Sequence, residues 1–223
     1  MTKRIVLLKP GVTSSRAVLG DYEVWFQRAC GDVELTPVEL HAGEKPPLVH
    51  AFDGVIMTGS PLSVTQPLAW MHEAAEWLVE VKKPVLGVCF GHQLLAWRHG
   101  GRVVRNPLGR ELGTVTVELT DEGCASPIFS GVDARFEAQA THEDVVAEVP
   151  SSVRVLAKNA FGLQALQFSE RCFGVQFHPE MDAASIRYCI DSKDTRPEDR
   201  EKAAARETPW GEHVLRRFVA LCG

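Results

Sequence analysis

Two short segments carry residue types whose chemistry depends on each other. Pro84-Val85-Leu86-Gly87-Val88-Cys89-Phe90-Gly91-His92-Gln93 places a cysteine between an apolar run and a helix-like run, and Gly174-Val175-Gln176-Phe177-His178-Pro179-Glu180 ends a second apolar run in His-Pro-Glu. A cysteine at a sharp strand-to-helix turn, met by a histidine and a carboxylate, supplies a nucleophile, a base and a group that orients the base. That set points to acyl transfer through a thioester. The spacing Gly87-x-Cys89-x-Gly91 gives the small flanks that a strained nucleophile turn needs. Such a turn aims the next backbone N–H, that of Phe90, at the reacting centre. The positive end of the following helix favours thiolate over thiol. The alternative for Cys89 is a buried structural thiol at a strand end.

His178 and Glu180 stand two apart, so an extended chain turns both side chains to the same side. Pro179 between them cannot donate to a sheet ladder and holds His178 extended, which marks the end of a strand. The carboxyl edge of an open α/β sheet is where ligands bind. There Glu180 would fix one ring nitrogen of His178 and leave the other facing Cys89; the tripeptide alone also fits a surface turn. A tetrahedral intermediate needs two N–H donors. Phe90 offers one, and the turn Gly59-Ser60-Pro61 offers the second from Ser60 or, as the weaker candidate, Gly59.

These residues need elements to hold them. Ile5–Leu8, Val33–Leu40, Gly54–Thr58 and Pro84–Val88 read as strands. Ser14–Cys30, Leu68–Lys82 and Gly91–His99 carry apolar residues at helical spacing, with Ser14 or Ser15 as N-cap and Gly31 as stop for the first. Strand and helix alternate at short intervals, which predicts a mostly parallel central sheet flanked by helices, a flavodoxin-like α/β fold. The second half changes to short strands (Arg102–Arg105, Thr114–Leu119, Arg135–Ala140, Val153–Lys158, Leu163–Phe168, Phe173–Phe177) that form extra antiparallel hairpins and the later strands of the sheet. A helix over Ala183–Ile190, a charged surface segment over Asp191–Arg206 and a C-terminal helix over Glu207–Leu221 complete the chain. With no repeat and no linker, residues 1–223 read as a single domain.

Composition removes several classes. The 223 residues are 45% hydrophobic and carry a formal charge of −5, with no basic footprint for nucleic acid or anionic membranes. No stretch approaches the roughly 18 apolar residues of a spanning helix. The apolar run at the N-terminus stops at Lys9-Pro10-Gly11, short of the about 7–15 residues of a signal peptide. A cytoplasmic location is the expectation. None of the six cysteines forms a Cys-x-x-Cys pair, so neither a metal site nor a redox dithiol is expected, and the thiols are read as free and mostly buried.

Cys89-Phe90-Gly91-His92-Gln93 together with Phe177-His178-Pro179-Glu180 resembles the class I glutamine amidotransferases, the Cys-His-Glu glutaminases, and in particular the amidotransferase domain of GMP synthase. Thr58-Gly59-Ser60-Pro61-x-Ser63-Val64 is similar to that family's oxyanion segment. Thr141-His142-Glu143-Asp144 is similar to its Ser-His-Gly-Asp segment beside bound glutamine, and Gly109-x-Glu111-x-Gly113 also has a counterpart. The resemblance runs from about Ile5 to Glu180. It implies that Cys89 attacks the side-chain amide of L-glutamine, with His178 as base and acid. It further implies that Gln93, Thr141, Glu143 and Asp144 meet the amino-acid end; His142 is either a second functional histidine or a structural one.

Two departures qualify the likeness. Ser60 stands where the family usually has glycine. The chain also carries no Ser-Gly-Gly-x-Asp-Ser loop, no Gly-x-x-x-x-Gly-Lys-[Ser/Thr] and no dinucleotide fingerprint, so no cofactor is expected. Three readings follow. The first is a glutaminase that feeds ammonia to a separate synthetase, the second a γ-glutamyl hydrolase acting on another γ-glutamyl compound, and the third a non-catalytic binding protein. The intact triad disfavours the third.

Overall fold

A computed structural model describes residues 2–223; Met1 lies outside them. The elements run β1 (Lys3–Lys9), α1 (Arg16–Leu19), α2 (Tyr22–Cys30), β2 (Val33–Glu39), β3 (Gly54–Met57), α3 (Ala69–Glu80), β4 (Val85–Val88), α4 (Phe90–Arg98), β5 (Arg102–Arg105) and β6 (Glu111–Leu119). They continue with α5 (Asp121–Ala125), β7 (Arg135–His142), β8 (Asp144–Glu148), β9 (Arg154–Asn159), β10 (Gly162–Ser169), β11 (Cys172–Val175), α6 (Ala183–Asp191), α7 (Pro197–Lys202) and α8 (Trp210–Leu221).

Nine strands form one sheet in the order β2-β1-β3-β4-β11-β10-β9-β6-β7, and β5 pairs with β8 in a separate ribbon. From β2 to β11 every pairing is parallel; from β11 to β7 every pairing is antiparallel. The expected α/β fold is therefore present, and the later strands extend the parallel sheet. The parallel strands read as continuous apolar runs because both faces are covered. Ile5 and Leu7 of β1 enter the core on one face, against Trp25 and Phe26 of α2 and Phe218 of α8. Val6 and Leu8 enter the core on the other, with Met71 and Leu78 of α3 and Leu94 and Leu95 of α4. That alternation is the two-residue period of a strand.

The expected helix over Ser14–Cys30 is divided. Gly20 (φ +80°) breaks it, and Asp21 caps α2 by accepting the Tyr22 N–H at 2.9 Å. Asp21 has a second duty that forces the break. Lys9 ends β1 fully buried, and its Nζ lies 2.9 Å from Asp21, 2.7 Å from Glu23 and 2.7 Å from Glu39. A buried ammonium is retained only when paired, so the chain must turn Asp21 toward it. The same carboxylate accepts the Thr13 N–H at 3.1 Å and so fixes the loop after β1.

The segment Asp191–Arg206, expected as charged surface, contains α7 and is tied to the sheet at its end. Thr114 donates its N–H to Ala204 at 2.7 Å, and the Gln139 side chain donates to the Arg206 carbonyl at 2.7 Å. The strand expected to run to Phe177 ends at Val175. All six cysteines are free; Cys124 is exposed, Cys189 half-buried and the rest buried. Among the described residues no helix is long and apolar enough to cross a membrane.

Candidate functional site

Cys89 follows β4 directly and caps α4, with φ +51° and ψ −97°; among the described residues no other non-glycine has positive φ. The strain is held from both sides. Cys89 donates its N–H to the Val175 carbonyl of β11 at 2.8 Å, and its own carbonyl accepts the Gln93 N–H at 3.0 Å. The flanking glycines are steric requirements. A Cβ on Gly87 would lie 2.5 Å from the Gly91 backbone, and one on Gly91 would lie 2.5 Å from the Met57 carbonyl oxygen.

His178 and Glu180 reach Cys89 from the chain beyond β11. His178 donates its backbone N–H to Gln139 of β7 at 2.7 Å, and its Nδ1–H donates to Glu180 Oε1 at 2.7 Å. Their shared side arises in a turn: Met181 N–H bonds the His178 carbonyl at 3.3 Å, with Pro179 second in the turn. Both side chains are fully buried. Burial works against a charged imidazole, but the Glu180 carboxylate and the Cys89 sulfur outweigh it, and His178 titrates well above the ordinary histidine range. With Nδ1 committed to Glu180, Nε2 is left for the sulfur, which itself bonds the ring.

The sign of that shift gives a test. A raised folded-state pKa contributes stability that is complete below about pH 6.5 and is lost as pH rises through the raised value. Glu180→Gln removes the leading cause of the rise. The His178 titration, followed by imidazole nitrogen NMR, should move down, and the stability gap to wild type should be widest below about pH 6.5 and narrow with rising pH. An unchanged His178 titration would exclude Glu180 as the ring's partner.

The other expected residues gather here. Gly59 lies against the pair: a Cβ on it would sit 2.7 Å from His178 Cε1 and 3.6 Å from Cys89 Cβ. The backbone N–H groups of Phe90, Gly59 and Ser60 have no protein acceptor among the described residues. Ser60 uses its hydroxyl locally, accepting from Leu62 N–H at 3.1 Å. Gln93 donates its side-chain amide to the Asp144 carbonyl at 2.8 Å and to Gln176 at 3.1 Å. His142 is buried and spends both ring nitrogens on protein partners, Glu111 at 2.8 Å and the Asp144 carbonyl at 3.0 Å. It therefore braces the wall that holds Gln93.

Cys89 opens onto two cavities. The larger, about 700 Å³, is lined by Ser60, Ser63, Gln93, Thr141, His142, Glu143 and Asp144, so that it collects every expected substrate-binding residue. The smaller, about 320 Å³, is lined by Thr13, Tyr22, Ser60, His178, Met181 and Cys189. Burial, then the charges of Glu180 and Cys89, push the Tyr22 phenol well up, so it faces this space as a neutral O–H. Met57, Trp70, Trp97 and Phe161, considered from sequence as pocket formers, line neither cavity. Arg110, Asp194 and Tyr22 line them without having been singled out in the sequence. Arg110 stood between two motif residues, Gly109 and Glu111; Asp194 lay in a segment whose charge density reads as solvated surface. Among the described residues no cluster of His, Cys, Asp and Glu could hold a metal ion.

Comparison with known proteins bears on this arrangement. The family model described as glutamine amidotransferase class-I matches residues 27–186. A glutamine-hydrolysing GMP synthase of Saccharolobus solfataricus, named as one subunit of a divided enzyme, is 38% identical over 152 residues, covering 67% of this chain and 77% of that one. The glutamine-hydrolysing GMP synthase of Aeropyrum pernix is 40% identical over 174 residues, covering 76% of this chain and only 28% of that one. A solved glutamine amidotransferase from Thermotoga maritima superposes with a TM-score of 0.75 over 98% of this chain and 97% of that one, at 21% identity, which is a likeness of fold.

Proposed function

The chain belongs to the glutamine amidotransferase class-I family, and from that premise we propose that it hydrolyses the side-chain amide of L-glutamine through a γ-glutamyl thioester on Cys89. The observation that carries this reading is Cys89 at φ +51° beside a buried His178 bonded to Glu180 at 2.7 Å. The Cys89 thiol passes its proton to His178 Nε2, and the thiolate attacks the amide carbon. The oxyanion is met by the N–H of Phe90 and by that of Ser60 or Gly59. The C–N bond breaks as His178 returns the proton to departing ammonia. Water, deprotonated by His178, then attacks the thioester; glutamate leaves and the thiol is restored. Glu180 keeps the ring oriented throughout and does not itself change protonation state.

The ammonia has an assigned recipient in this proposal: a separate synthetase. Two observations support that. The Saccharolobus solfataricus relative, matched over 77% of its length, is named as one subunit of a GMP synthase, whereas the match covers only 28% of the Aeropyrum pernix GMP synthase. Purified protein supplied with L-glutamine should release glutamate and ammonia in equal amounts, and rapid quenching should trap protein heavier by one glutamyl group. Glutamate release with no such adduct, in wild type or in a variant slowed at deacylation, would remove the thioester.

One observation favours a second reading. The smaller cavity beyond Cys89 exceeds what ammonia needs and would take the amine part of a larger γ-glutamyl compound. Under that reading γ-glutamyl dipeptides such as glutathione are hydrolysed faster than glutamine by the same triad. Parallel assays on the two substrates separate the readings.

A further inference from the structure

We infer that Arg110 is the specificity-determining residue that binds the substrate's α-carboxylate. The inference rests on the γ-glutamyl reading of the same site, common to glutamine and to γ-glutamyl peptides. Arg110 is set by a stiff turn. Gly109 (φ +86°) donates its N–H to the Asn106 carbonyl at 3.0 Å, Leu108 donates to Asn106 Oδ1 at 3.0 Å, and the Asn106 amide donates to the Phe161 carbonyl at 2.9 Å. The next residue, Glu111, starts β6 in register with His142. The turn thus delivers a half-buried guanidinium to the wall shared by both cavities at Cys89.

What holds Arg110 matters as much as where it lies. Its Nη2 donates to Thr141 Oγ1 at 2.8 Å and its Nη1 reaches Thr195 Oγ1 at 3.4 Å. Both partners are neutral hydroxyls, and among the described residues no carboxylate lies within salt-bridge distance. Each terminal nitrogen carries a second N–H, and the two form the fork that accepts a carboxylate. The other cation of the larger cavity, Arg105, is exposed and already paired with Glu143 at 2.6 Å. Glu143, Asp144 and Asp194 supply negative charge to the same cavity, and the Asp144 carboxylate accepts the Ser63 hydroxyl. A cavity with one free guanidinium and several carboxylates suits an amino acid carrying both charges: carboxylate to Arg110, ammonium to the acidic side.

The test measures binding and turnover separately. In a Cys89→Ala background, calorimetry should give L-glutamine a Kd about 10- to 100-fold weaker once Arg110→Met is added, with Arg110→Lys recovering part of the loss. 4-Aminobutanamide keeps the amide, the methylenes and the amine but lacks the carboxylate. The Cys89→Ala protein should discriminate against it, and the double variant should not. With Cys89 intact, Arg110→Met should raise the KM for glutamine more than it lowers kcat. Retained discrimination, or equal losses for both ligands, overturns the assignment. Arg110-dependent binding without wild-type hydrolysis of glutamine or any γ-glutamyl dipeptide would sink the proposed function and leave this inference standing; hydrolysis with binding indifferent to Arg110 would do the reverse.

Discussion

Cys89→Gly is expected to abolish turnover and at the same time to yield a protein more stable than Cys89→Ala. Both variants lose the sulfur, and loss of a triad nucleophile costs on the order of 10⁴-fold or more in rate. The difference between them is a single Cβ at φ +51° and ψ −97°. A side-chain-bearing residue held there stores about 1–3 kcal/mol of strain. At an ordinary helical position glycine would instead be the less stable choice by roughly 0.5–1 kcal/mol. Denaturant unfolding of the two variants checks the sign. Cys89→Gly should lie above Cys89→Ala by about 1 kcal/mol or more. The opposite order would mean that the elbow is relaxed. Residual activity in either variant near the wild-type rate would remove Cys89 as the nucleophile.

Gly91→Ala should be among the most destabilising single substitutions in the chain. Its Cβ would stand 2.5 Å from the Met57 carbonyl oxygen and 3.0 Å from Met57 Cβ. The carbonyl belongs to the end of β3, which has neighbours on both sides in the sheet and cannot retreat. Helix α4 must therefore lift from the sheet, at a cost of about 3 kcal/mol or more. For a chain of this size that lowers Tm by roughly 6–12 °C. The displacement also moves the Phe90 N–H, so activity falls with stability. Gly31→Ala is the control. Gly31 has φ +80° but no atom within 4 Å of an added Cβ, so it costs backbone strain alone, about 1–2 kcal/mol. Equal losses at the two positions, read by calorimetry, would show that α4 packs on β3 with room to spare.

The parts of this site that could be read in the sequence are those whose geometry is local. Gly87-x-Cys89-x-Gly91 announces its turn because each glycine is demanded by a contact within the elbow or at the adjacent strand end. His178 and Glu180 find each other because they are two residues apart, although the chain between them turns where an extended strand was expected. The α/β order of the first half was legible because β1, β3 and β4 carry unbroken apolar runs. Features fixed by distant pairing were not. The break at Gly20–Asp21 answers to a buried ammonium at Lys9. Strand β8 begins at Asp144, inside a segment read for its ligand-binding pattern, and it pairs with β5 away from the main sheet. Arg110 acquires its place only through the β6–β7 register and a hydroxyl from Thr195, and neither leaves a mark on the residues around it.

The pairing of β4 with β11 also sets an order of events. Val88 and Val175 are partners in that ladder, and β11 occupies the slot between β4 and β10. Strands β1, β3 and β4 leave the ribosome long before β11 does, and pairing across so much chain is slow. Until β11 arrives, β4 is an open edge and the Cys89 N–H lacks its Val175 acceptor. The base has not yet been made. A nascent chain thus carries an ordinary thiol, and the reactive one appears only when the sheet is closed through its middle. Recovery of catalysis after denaturation reports the insertion of that central strand, behind the return of helix and bulk secondary structure.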